Sequence, residues 1–473
     1  MSAAHGPVKR KLREHAFRAV AAVAACAVAL SGMPAPVAAQ SRGLPIIRDA
    51  EIEQLLRDYT QPILRVAGLA QQNVRVVIIN DRSFNAFVMD GHRIFVNAGA
   101  LLESATPNQI IGVLAHETGH IAGGHLSKLR TELANAQTIS ILAMLLGLGA
   151  TFAASRAGNN VGGNPGAVAM SAPQAMMQRS LLAYQRQHED QADRAGVKFL
   201  TASGQSAKGM YDTFKRMADQ QLFAARGADP YYQSHPLASE RLAALASITK
   251  TQYWDKKDSP ELQLRHDMMR AKLHGFLEGP GTVARRYMPS DQSIPARYAR
   301  AIATYRHGDV RTALGQIDAL IEAQPDNPYL HELKGQALLE TGRAAEAVPP
   351  LRRAAASAPN PLLIKVMLAQ ALIGTKDPKM ADDAIAYLRQ AVASDPDISE
   401  GYAQLAMAYG RKGDFAQADL ASAQAAFARG DIRTARQLAA RAKDRFPVGS
   451  PGWVKADDIA SYRPPAGAQR AGR

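Results

Sequence analysis

Two periodicities alternate along the chain. From Ala50 to Leu69 apolar residues recur at helical spacing, so a first helix is expected there. Val74 to Asn80 is then a β-branched run ending in Asn80-Asp81, and Arg93 to Asn97, reached through Asp90-Gly91, is a second strand candidate. Helical spacing returns after Thr106-Pro107-Asn108-Gln109, which reads as a capping threonine, proline at the first helical position and glutamine three after the cap, ahead of Ile110, Ile111, Val113 and Leu114. Leu133 to Ser155 carries no charge, and its length alone permits a membrane span. Gln137, Thr138, Ser140, Gly147, Gly149 and Thr151 dilute the run, and the Gly/Asn/Pro stretch from Gly158 to Gly166 ends it, so we read a buried or membrane-leaning helix followed by a loop. Another helix is expected from Ala175 to Leu200.

Beyond about residue 285 the pattern repeats. Gly308 and Gly342, Ala313 and Ala347, Pro325 and Pro359, and Ala384 and Ala418 are each 34 apart, whereas Pro359 to Pro396 and Ala347 to Ala384 are 37, read as a three-residue loop insertion. A 34-residue period with a small residue in each helix pair and proline at its end is a tetratricopeptide repeat. Gly413 to Gly430 is half a period, which makes Phe415 to Arg429 a shared helix before Ile432 to Phe446 closes an array of about four repeats.

The chemistry is concentrated in His116-Glu117-Thr118-Gly119-His120, near the end of the helix-patterned segment that follows Thr106. Histidines four apart lie one turn apart on one helix face and can share a Zn²⁺ ion, while the glutamate beside the first stays close enough to take a proton from water. His125 does not extend the motif, because a third histidine of the metzincin kind falls six after the second with glycine midway, and His125 falls five after. It is read as a surface histidine or one supporting a ligand from behind. On the 175–200 helix Glu189 and Asp193 are four apart, placing a third ligand and, one turn on, a carboxylate to orient a ligand imidazole.

These residues resemble the HtpX-type zinc metallopeptidases, relatives of the CAAX prenyl proteases. His116 to His120 is followed by Glu189-Asp-Gln-Ala-Asp-Arg-Ala-Gly196, then by Ser234-His235-Pro236 with Arg241 shortly after, and Asn85-Ala86-Phe87 matches that family's Asn-Ala-Phe. Gln191 is the one departure, standing where many members carry a second glutamate. The resemblance covers roughly residues 45 to 250. It implies a zinc endopeptidase with one Zn²⁺ per chain on His116, His120 and Glu189, and Asp193 behind them. Glu117 is then the general base, and His235 or Arg241 stabilises the oxyanion. His235 is also a candidate regulatory fourth ligand, able to fill the position water needs.

Composition adds the compartment. Lys9, Arg10, Lys11, Arg13 and Arg18 precede an Ala/Val-rich run to Leu30, and Val37-Ala38-Ala39 offers a cleavage site, so residues 1–39 are expected to be a signal peptide. Cys26 is the one cysteine; as part of Val23-Ala24-Ala25-Cys26 it offers a rival lipid-anchored start, and once it is removed neither disulfides nor thiolate ligands remain. The chain carries +14, or +10 after losing the five basic residues and one acidic residue of the leader. Outside the cytoplasm such a surface meets anionic headgroups, in a peripheral membrane contact, or acidic clients rather than nucleic acid, or else its charge serves only solubility.

The expected fold is α+β, mainly α: a zincin-like metalloprotease domain with a small β-sheet (40–255), a linker helix region (256–284), an all-α tetratricopeptide-repeat solenoid (285–460) and a disordered tail (461–473). With its leader, such a chain looks like the periplasmic, BepA-type β-barrel assembly-enhancing proteases of Gram-negative bacteria. That implies unfolded or misassembled outer-membrane proteins as substrates and the barrel-assembly machinery as partner. The rivals are a chaperone or assembly factor acting through its repeats, and a protease anchored in the inner membrane.

Overall fold

The computed structural model describes residues 45–129, 131, 186–223, 235 and 239–463. The leader with Cys26, the uncharged run 133–155, the start of the 175–200 helix, Ser234, Pro236 and residues 464–473 lie outside them. Among the described residues no helix is long and apolar enough to cross a membrane.

Among the described residues four strands make the sheet: β1 (Ile46–Ile47), β2 (Arg75–Ile79), β3 (Ala86–Asp90) and β4 (Arg93–Asn97), in the order β1-β2-β4-β3. β2 and β4 run parallel, as the two expected strands, and β1 and β3 flank them antiparallel. The sequence pattern did not announce these flanking strands. Ile46 and Ile47 are extended because they face Ile79 and Ile78. β3 offers three apolar residues between Ala86 and Asp90 without alternation, and becomes a strand by folding back on β4 through Asp90-Gly91.

Helix α1 (Ala50–Val66) starts on the Asp49 carboxylate, which accepts from Ile52 N at 2.9 Å, and stops before Gly68 at φ +74°, short of Leu69. After α2 (Ala98–Glu103), the sheet and α1 enclose α3 (Pro107–Ala122), which is buried from Ile110 to Gly119 on every face. Thr106 and Pro107 take the expected cap and first-turn places, but the Thr106 hydroxyl makes no capping bond and Gln109 Oε1 accepts from Ala105 N, one residue earlier than a capping box. Asp258 accepts from Asn108 N instead, and the Asn108 side chain bridges Ser206 O and Gly209 N. These bonds pin the helix start to the start of α5 (Lys208–Phe223).

Helix α4 (186–202) crosses α3 so closely that a Cβ on Gly119 would stand 2.7 Å from Ala192 O. Only glycine fits there, between the two histidines of the motif. The N-terminal core is completed by Ile52, Leu56 and Tyr59 of α1, Ile94 and Val96 of β4, and Met210 and Phe214 of α5.

The stretch 256–284 contains α7 (Pro260–Leu277), following α6 (Ser239–Ile248), and α7 is apolar on two sides. Met269 and Leu273 join the N-terminal core, and Met268 and Ala271 join a second core running through the helical array. Between them the buried Lys272 Nζ lies 2.7 Å from Asp49, 3.2 Å from Glu51 and 3.8 Å from Glu332, with Tyr298 donating to Glu51 at 2.9 Å. Arg75 bridges from β2 to Asp395 and Asp397. Residues Pro45–Tyr462 thus form one compact unit.

Antiparallel helix pairs build the array: Ile294–His307 with Val310–Ala323, Pro328–Glu340 with Ala344–Ser357, Leu362–Gly374 with Pro378–Ser394, and Ser399–Arg411 with Phe415–Ala428. Ile432–Arg445 then pairs with Pro451–Ser461, a helix beyond the expected closing one, started by Ser450 and Pro451. Gly342, Gly413 and Gly430 turn hairpins at positive φ, and Lys376, 34 after Gly342, takes the same conformation at +64°. The three extra residues are therefore not in a loop. They lengthen Pro378–Ser394 to 17 residues, against 14 in Ala344–Ser357, nearly one turn, so the apolar face stays in phase.

Candidate metal centre

Among the described residues, three helices and His235 bring the site together. α3 presents His116, Glu117 and His120; α4 presents Glu189 and Asp193 from the facing side; α6 supplies Arg241 from its first turn; and His235 lies against β3. One ligand atom each from His116, His120, Glu189 and His235 lies within 4.8 Å of the others. The Nε2 atoms of His116 and His120 are 3.1 Å apart, and Glu189 approaches them at 3.4 and 3.3 Å. His235 Nδ1 is 3.1 Å from both Glu189 oxygens and 3.4 Å from His116 Nε2.

The donor set fits a divalent cation. His116 turns Nδ1 to Asp193 Oδ1 at 2.9 Å, which holds the proton on that nitrogen and leaves the Nε2 lone pair facing inward. Two imidazole nitrogens 3.1 Å apart beside a carboxylate call for something positive among them, a proton on His116 or a metal ion in its place. A zinc ion accepts this mixture of nitrogen and oxygen ligands.

Charge follows burial and neighbours. Burial alone would lower the His116 pKa, but Asp193 and Glu189 outweigh it and raise it to about 9. His120 falls to about 3, first through burial, with the neighbouring His116 charge adding to it. Burial opposes ionisation of Glu189, yet His235, His116 and His120 hold its carboxyl well below the usual range. Arg241 reinforces the arrangement from behind: Nε and Nη2 donate to Asp193 at 2.5 and 2.9 Å, Nη1 reaches Glu189 at 2.8 Å, and the guanidinium lies over the Phe214 ring. Each of its three nitrogens thus has a carboxylate within reach.

Glu117 is the exception. Neither of its buried oxygens has a hydrogen-bond partner among the described residues, and burial raises its pKa against the opposing charges of His235 and His116. The nearest imidazole, His235 Nε2, is 3.5 Å from Oε1. A carboxylate kept basic and uncommitted beside a metal-binding cluster is suited to proton transfer.

Every sequence-selected residue meets here. His125 does too, but buried, with Nδ1 at 3.1 Å from His120 Nδ1, so its surface reading is set aside. The turn at Gly123 and Gly124 ends α3 and lets His125 fold back behind His120; this glycine pair was the available signal. Sequence reasoning missed Gln191, whose Oε1 meets His125 Nε2, and the Ala86 carbonyl, which meets His235 Nε2 at 3.2 Å. Phe214, edge-on to His116 at 5.3 Å between ring centres, was missed as well.

Comparison with known proteins finds a peptidase family and a repeat family in the chain. Residues 47–249 match Peptidase family M48, and residues 298–361 match the tetratricopeptide repeat. The Escherichia coli "Beta-barrel assembly-enhancing protease" is 23% identical over 87% of this chain and 83% of its own length. The Vibrio cholerae "Putative beta-barrel assembly-enhancing protease" is 25% identical over 60% of this chain, and the match spans 58% of that relative. "Metalloprotease YcaL" of Escherichia coli is 25% identical over 39% of this chain and 67% of its own length. Residues 47–249 thus carry a Peptidase M48 domain, of a metalloprotease family, and tetratricopeptide repeats lie C-terminal to it.

Proposed function

We propose that the chain is a periplasmic, zinc-dependent endopeptidase that degrades misfolded or stalled outer-membrane proteins and also assists their assembly. The observation that carries the enzymatic part is Glu117, basic and uncommitted beside four convergent ligand atoms. The client class and the barrel-assembly machinery as partner rest on what the Escherichia coli and Vibrio relatives are called, and the compartment on the leader-like residues 1–39.

In this reading His116, His120 and Glu189 hold zinc, which when bound supplies a Lewis acid that acidifies water and polarises the scissile carbonyl. Glu117 takes the proton of the attacking water and delivers it to the leaving amine nitrogen. Asp193 fixes the His116 tautomer, and Arg241, bonded to Glu189 and Asp193, positions both carboxylates, while oxyanion binding falls to His235 or to the remaining N–H groups of Arg241. His235, placed as the fourth ligand atom, keeps the site latent; swung away, its imidazole can donate to the developing oxyanion. The array offers its concave surface to clients or to the assembly machinery.

Zinc stoichiometry with a casein digest, for wild type and Glu117→Gln, tests the reading. One zinc in each protein with cleavage only by wild type supports it. A metal-free wild type that still digests casein would remove it.

A further inference from the structure

We infer that His125 and Gln191 are positioning residues that set the metal-facing nitrogen of His120. The inference rests on the reading of His120 as a ligand. His120 turns Nε2 toward His116 and Glu189, and its other ring nitrogen, Nδ1, lies 3.1 Å from His125 Nδ1. One proton serves that contact, and the question is which ring carries it. His125 Nε2 faces Gln191 Oε1 at 3.1 Å, and an amide oxygen only accepts. The proton of neutral His125 is therefore on Nε2, its Nδ1 is the acceptor, and His120 donates from Nδ1. That leaves the lone pair of His120 on Nε2, where a cation needs it. If the Gln191 amide turned its nitrogen to His125 instead, every proton in the chain would shift by one place. His120 would then present N–H to the cluster and could not bind metal.

The backbone is shaped for this relay. Gly124 at φ +61° turns the chain after α3, and a Cβ on Gly123 would stand 2.2 Å from His125 Nε2, so a side chain there would displace the ring. His188 stacks on the His125 ring at 4.3 Å and 21°, and His125 is 4% exposed. The two zinc-helix histidines are thus oriented by different means: His116 by the Asp193 carboxylate, and His120 by a neutral imidazole and an amide oxygen.

The test is the zinc affinity of the mature chain, measured by competition with a chromophoric chelator, with circular dichroism to check the fold. Loss of an outer partner of a ligand histidine weakens metal binding by about 10- to 100-fold, and that is the loss expected for His125→Ala. His125→Gln, whose side-chain oxygen can accept from His120, should recover part of it. Gln191→Glu, which can only accept, should bind zinc at least as tightly as wild type, and Gln191→Leu more weakly. Folded His125→Ala with wild-type affinity, or a weakened Gln191→Glu, overturns the relay. Should His125→Ala not fold, the Gln191 pair decides, and equal affinity in Gln191→Leu and wild type overturns it. A wild type that binds no zinc would show separately that the metal-site reading itself had failed.

Discussion

His235 Nδ1 lies equidistant from the two carboxylate oxygens of Glu189, 3.1 Å from each. Its ligand atom lies within 4.8 Å of those of His116, His120 and Glu189, so on the proposed reading of His235 as a fourth ligand its removal should open the site. We expect His235→Ala to raise basal cleavage of an unfolded substrate at saturating zinc. A large fall in turnover would identify His235 as catalytic only, and no change would leave it a packing residue.

Glu117→Gln should keep one zinc per chain and lose about 10²- to 10⁴-fold in turnover, the range of general-base catalysis, because the amide cannot take the proton. Casein digestion by purified protein, free of contaminating protease, measures it. Wild-type-like cleavage would contradict the mechanism.

Glu189→Ala removes a ligand instead of a base. It should lower zinc retention after dialysis against a weak chelator, whereas wild type loses activity only to a strong one and recovers it on zinc addition. Full zinc occupancy in dialysed Glu189→Ala would remove Glu189 from the ligand set.

The joint around Lys272 should make stability pH-dependent. Burial, reinforced by Asp49, Glu51 and Glu53 against the opposing Lys272 charge, pushes the Glu332 carboxyl from 4.5 up to about 8. The folded chain holds this proton more tightly than the unfolded one, so the contribution is complete below pH 4.5 and is lost as pH rises through about 8. Glu332→Gln should flatten the decline in melting temperature across that window, and a curve parallel to wild type would refute the assignment. Lys272→Met, which strands Asp49 and Glu51 without their cation, should cost about 3–5 kcal/mol.

Much of this was legible in residue order. The histidine pair and the Glu189/Asp193 pair are each local, four-residue spacings on one helix, so sequence alone places them. The repeats were legible because a fixed period survives in glycine, alanine and proline positions. What sequence could not give was set by long-range pairing. Ile46 and Ile47 become a strand only against Ile78 and Ile79. The apolar residues of α7 serve two cores at once, so no single stripe marks the helix as buried. Gln191 looked like a lost glutamate, and its partner His125 is a neighbour only because two glycines bend the chain between α3 and the next turn.

The edge of the sheet has a consequence of its own. Asn97 N donates to the Asn85 carbonyl, so alternation along the strand sends the next carbonyl, that of Ala86, away from β4, to the side where His235 Nε2 meets it at 3.2 Å. An extended polypeptide joining β3 as a fifth strand would bring a backbone N–H to that same oxygen. On the proposed reading His235 would then stand in for a stretch of substrate, and a chain long enough to zip along β3 would compete with it directly. Such competition would let the length and extendedness of a client, and not its side chains alone, decide which polypeptides are admitted.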